Sequence, residues 1–122
     1  MVKLVEMDKN VTFFQQIQTE DTGPVVLINH FHVDPADEEE FLNMWQVDAA
    51  YMLRAGCLSG QMHKGTEGSA SFINIAVWEN AQTLGRAFMK PEFQELIARY
   101  PASATASPHL FRKLAIPGVC VA

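Results

Sequence analysis

Residues 71–80, SFINIAVWEN, decide the fold. Their β-branched and aromatic content, taken two by two, reads as a strand. Side chains alternate across a strand, so Phe72, Asn74, Ala76 and Trp78 share one face while Ile73, Ile75 and Val77 share the other. The second face is plain hydrocarbon. The first sets an amide and an indole N–H on a surface otherwise suited to a core. Buried polar groups cost free energy unless they are satisfied. That face is therefore either a satisfied network or the wall of a pocket. Asn80 fits the N-cap of a helix starting at Ala81.

Working back from this strand, residues 57–64, CLSGQMHK, read as its antiparallel partner, joined through the hairpin turn GTEG at residues 65–68. Gly56 ends a helix expected over residues 37–54. Its acidic start, Asp37 to Glu40, suits the positive end of the helix dipole, and Phe41, Met44, Trp45 and Met52 mark its apolar face. Before it, residues 25–33, VVLINHFHV, form a strand that Asp34-Pro35 stops. Working forward, a helix from Ala81 breaks at Lys90-Pro91 and resumes with Phe93, Leu96, Ile97 and Tyr100 at helical spacing. A small-residue loop leads to a last strand over residues 109–116. The order is βαββαβ, an α+β ferredoxin-like arrangement with two helices on one face of an antiparallel sheet. Residues 11–17, VTFFQQI, read as a further short strand, expected at the sheet edge or across a partner subunit. The division is an N-terminal extension over 1–24, a domain over 25–116 and a tail over 117–122.

Strand parity then sorts the polar residues. Asn29 and Phe31 join Phe72, Asn74 and Trp78 on the helix side. Gln61 and His63 are expected there too, so that Asn29, His63, Asn74 and Trp78 line one cavity. The opposite face carries Val26, Ile28, Met62, Ile73, Ile75 and Val77, with His30 and His32 beside them. That is too much apolar surface to leave in water, and a homodimer through this face is expected. His30-x-His32 can chelate a metal, but no third ligand with suitable spacing is visible, and no metal is expected.

Composition narrows the rest. The 122 residues carry a net charge of −5 with scattered basic residues, which argues against a nucleic-acid partner. No apolar run reaches the roughly 20 residues of a membrane span, and the first ten residues lack the apolar centre of a signal peptide. Cys57 and Cys120 form neither a CxxC motif nor a disulfide framework, consistent with a reduced cytoplasmic protein.

The runs VLINHFHV, FLNMW, GCLSGQMHK, FINIAVWENAQTL and KPEFQEL resemble the antibiotic biosynthesis monooxygenase (ABM) domain family. The resemblance spans residues 25–116 and implies a dimeric α/β barrel. It implies an oxygenase working without metal or flavin cofactor on an aromatic or polyketide-like small molecule, with His63, Asn74 and Trp78 catalytic. Asn29, Phe31, Trp45, Phe72 and Phe88 are the expected substrate-binding residues. Where the quinone-forming members carry a Tyr and an Arg on the second helix, this chain has Leu84 and Ile97. The haem-degrading members match at Asn29, but Phe88 and Ala98 replace their Trp and His, so haem ligation is not expected. The competing reading is a binding or stress-response protein that kept the pocket and lost the chemistry.

Overall fold

The computed structural model describes residues 2–20 and 22–121. Residues 1, 21 and 122, at the ends of the N-terminal extension and tail and within the linker, lie outside the described residues. The expected α+β ferredoxin-like fold is present. Strands β1 (Lys3–Leu4), β2 (Val25–His32), β3 (Cys57–Lys64), β4 (Ser71–Trp78) and β5 (Thr105–Phe111) form one open sheet in the order β1-β5-β2-β4-β3. All pairings are antiparallel except that of β1 with β5. Helices α1 (Phe13–Ile17), α2 (Glu38–Arg54), α3 (Ala81–Met89) and α4 (Pro91–Ala98) complete the chain.

The core lies between the helices and the inner face of the sheet, where Val25, Leu27, Phe31, Phe72, Ala76 and Trp78 are buried. Phe41 of α2 is fully buried among Phe31, Phe72 and Tyr100, with ring centroids 5.0–5.6 Å apart. The Tyr51 hydroxyl donates to the Ala87 carbonyl at 2.9 Å, tying α2 to α3. Asn80 caps α3 as expected, its Oδ1 accepting from the Thr83 N–H at 2.8 Å. Gly56 adopts φ +119°, and a Cβ there would lie 2.8 Å from Thr83 Cγ2, so only glycine ends α2 in this way.

Three expectations change. Residues 11–17 are not a strand. Thr12 and Gln15 form a reciprocal capping box, each side chain accepting from the other's backbone N–H, and that starts α1. The edge strand is instead Lys3–Leu4. The last strand begins at Thr105, not His109, and ends at Phe111, because its span is set by pairing with β2 from Val26 to His32.

The third change concerns β3. Cys57 pairs with Trp78, but Ser59 pairs with Val77, so Leu58 is the extra residue of a β-bulge. A one-residue shift exchanges the two faces of everything beyond it. Gly60 and Met62 therefore oppose Ala76 and Asn74 on the helix side, while Gln61 and His63 oppose Ile75 and Ile73 on the outer face. The expected positions of Met62, Gln61 and His63 are reversed.

Candidate active site

Antiparallel pairing sets Asn29 of β2 directly opposite Asn74 of β4, both on the helix side. Trp78, two pleat repeats further along and opposite Val25, is 1% exposed. These three residues line a cavity of about 380 Å³ between the sheet and the helices. Such a volume suits a small organic molecule. The walls are mostly hydrocarbon and aromatic: Phe31 from the sheet, Trp45 from α2, Leu84 and Phe88 from α3, Ile97 from α4.

Asn29 Oδ1, Asn74 Oδ1 and Trp78 Nε1 are each buried without a protein hydrogen-bond partner. An unpaired buried polar group costs about 1–3 kcal/mol. Here three of them converge on one cavity, which marks the place for a ligand with oxygen functions. The indole N–H can only donate, and each amide can donate or accept. Gly60 pairs with Ala76 across the β3–β4 ladder, and a Cβ on it would lie 3.6 Å from Asn74 Oδ1, so its lack of a side chain keeps the wall beside the Asn74 amide low.

The expected lining is gathered in large part. Asn29, Phe31, Trp45, Asn74, Trp78 and Phe88 surround the cavity. Phe72 packs against Phe41 instead, with centroids 5.2 Å apart, and is not on the cavity wall. His63 stands on the outer face, its Nδ1 3.3 Å from the Ile73 carbonyl, and does not line the cavity. Leu84 and Ile97 present hydrocarbon where the resemblance implies a phenol and a guanidinium.

Sequence reasoning missed Asp48 and Tyr100. Both line the cavity, and the Tyr100 hydroxyl donates to Asp48 Oδ2 at 2.6 Å. Burial lifts the Asp48 carboxyl to about 6, against a smaller opposing effect of the Tyr100 hydrogen bond. Burial and the adjacent carboxylate push the Tyr100 phenol far up, so it remains a donor. Cys57 also borders the cavity; burial raises its thiol, which hydrogen-bonds the Ser59 carbonyl at 3.3 Å. No group of three metal-ligating side chains occurs among the described residues. Among them, too, no helix is long and apolar enough to cross a membrane.

Comparison with known proteins bears on this geometry. The family model for antibiotic biosynthesis monooxygenase matches residues 24–99. Among solved structures, SnoaB, a cofactor-independent oxygenase from Streptomyces nogalater, is 26% identical, with a TM-score of 0.67 over 79% of this chain and 98% of that one. An asparagine-to-alanine mutant of SnoaB is 25% identical, with a TM-score of 0.69 over 78% and 97%. A protein of Shewanella loihica PV-4 shares the fold at 24% identity, with a TM-score of 0.67 over 79% and 99%. No curated protein sequence matches the chain.

Proposed function

Since the chain belongs to the antibiotic biosynthesis monooxygenase family, we propose that its cavity binds a hydroxylated, flat aromatic molecule of polyketide type and oxidises it with O2, without metal or flavin. The observation that carries this reading is the convergence of three unpartnered polar groups, from Asn29, Asn74 and Trp78, in an aromatic-walled cavity. An electron-rich phenol or anthrone that loses a proton can pass an electron to O2. The protein's share is to hold the ring system, exclude water and stabilise the oxyanion. The Asn74 amide and the Trp78 indole N–H supply donors for that charge in a site of low dielectric. The likeness to SnoaB, itself a cofactor-independent oxygenase, supports the same chemistry.

The test is oxygen uptake with a hydroxyanthrone by metal-free, flavin-free protein. Quinone formation that falls in Trp78→Phe and Asn74→Ala supports the oxygenase. Tight binding with no uptake across a panel of phenols and anthrones supports a second reading, a binding protein. That second reading draws on the cavity wall, which has no histidine among the described residues.

A homodimer through the outer sheet face belongs to the same proposal. Ile73 and Ile75 are 37% and 40% exposed there, flanked by Val26, Ile28 and Val77. Covering them with the same face of a second copy would bury both apolar layers of the sheet.

A further inference from the structure

The oxygenase reading leaves open which group takes the substrate's proton. We propose that Asp48, positioned by Tyr100, is the proton acceptor of this cavity, acting on the hydroxyl of an enolised anthrone or phenol. The inference rests on the oxygenase reading of the same site. Among the described residues that line the cavity Asp48 is the one carboxylate, and no Lys, Arg or His is among them. It sits on α2 one turn after Trp45, a separation that puts both side chains on one side of the helix. The aromatic wall and the carboxylate therefore meet the same ligand.

Tyr100 fixes this group. Its ring is 3% exposed, stacked 6.4 Å from Phe31 and tilted 5.6 Å from Phe41. Its hydroxyl holds Asp48 Oδ2 at 2.6 Å and leaves Oδ1 for a second donor. A substrate hydroxyl is such a donor. In the step proposed, a new O–H bond forms to Asp48 Oδ1 and the substrate O–H bond breaks. The bonding pair stays on the substrate oxygen as an enolate or aryloxide, facing the donors of Asn74 and Trp78. Nothing is oxidised in this step. The enolate then supplies the electrons to O2. The enolate carbon forms a C–O bond to O2, and the terminal oxygen takes back the proton held by Asp48 to give a hydroperoxide. The C–H bond on that carbon then breaks as the O–O bond breaks, leaving one oxygen in the new carbonyl and releasing the other as water. The two hydrogens of that water are the proton returned by Asp48 and the proton from the carbon.

Partial burial suits the carboxyl to this work, because it lifts the acid to about 6 and closer to neutral pH, where a general base is most effective. Among the described residues, Tyr100 beyond α4 and Tyr51 on α2 are titratable groups that interact with Asp48, and Cys57 on β3 lines the same cavity. Glu92 and Arg54 act on Tyr51. Burial pushes Tyr51, Tyr100 and Cys57 upward, so all three stay neutral as Asp48 titrates.

The experiment follows oxygen uptake with dithranol, a hydroxyanthrone, as a function of pH, with binding of its quinone product read by tryptophan fluorescence. The unmodified protein should show an acid limb with its midpoint near pH 6. Asp48→Asn keeps an acceptor for Tyr100 and removes the base. It should lower kcat about 100-fold or more and abolish the limb, while product affinity stays within about threefold. Tyr100→Phe removes the hydrogen bond that lowers the Asp48 pKa, so its limb should move to higher pH. Asp48→Asn protein with undiminished uptake and an unchanged limb overturns the role of Asp48 while the oxygenase reading stands. If Asp48→Asn does not fold, a limb that stays in place in Tyr100→Phe overturns it instead. Quinone binding with no uptake by the unmodified protein at any pH overturns the oxygenase reading, and this inference with it.

Discussion

Asn74 and Trp78 show how far alternation alone carries. Their shared face was legible in SFINIAVWEN, because a strand's parity is local and β4 has no irregularity. Trp78→Phe keeps the ring and removes one donor. It should weaken binding of a hydroxyquinone by about 0.5–1.5 kcal/mol, measured by calorimetry, without lowering the melting temperature. Asp48 was not legible, because its partner Tyr100 lies 52 residues further on and only packing brings them together. The pair also has a consequence for stability. The Asp48 carboxyl is raised from 3.8 to about 6, so the folded state holds its proton more tightly than the unfolded chain does. The stabilisation from that protonation is complete below about pH 3.8 and is lost as pH rises through about 6. Asp48→Asn, which carries no charge, should therefore be more stable than the unmodified protein above pH 6, by about 3 kcal/mol. The gain should vanish near pH 4 in urea titrations. A variant that is sturdier but slower is the usual mark of a functional group kept at a cost in stability.

At the scale of elements, the long periodic segments were readable and the short irregular ones were not. The break at Lys90-Pro91 and the Asn80 cap appear where proline and asparagine chemistry put them. The strand expected over residues 11–17 is a helix instead: VTFF looks β-rich, but Thr12-x-x-Gln15 carries a capping signal of its own. The β3 bulge had no sequence mark, and by reversing Gln61, Met62 and His63 it took His63 out of the site. The helix α1 depends on a close approach to α3: a Cβ on Gly85 would lie 2.8 Å from the Ile17 carbonyl oxygen. Gly85→Ala should push the two helices apart and cost about 1–3 kcal/mol in chemical denaturation, against the usual gain from replacing a helical glycine. If the variant is as stable as the original, α1 does not pack there.

For the whole molecule, the βαββαβ order and the two-sided apolar sheet were both readable, since each follows from hydrophobic pattern. The assembly proposed from them is testable. Ile75→Lys would set an unpaired charge in the centre of the outer face and should cost several kcal/mol of association free energy. Sedimentation should then show a folded monomer beside a dimeric parent; a parent that is itself a monomer would remove the proposal.

The Gln16 side chain has a further meaning at this scale. Its Nε2 donates to the Leu110 carbonyl at 3.0 Å and its Oε1 accepts from the Leu110 N–H at 2.8 Å. One amide thus pairs with β5 as a strand would, beyond the point where the two residues of β1 leave off. A free strand edge is a template for recruiting other chains. With the Leu110 N–H and carbonyl taken up by Gln16, that stretch of edge is closed to another chain; Gln16→Ala should show itself first as fibril growth at high concentration, before any loss of the native fold.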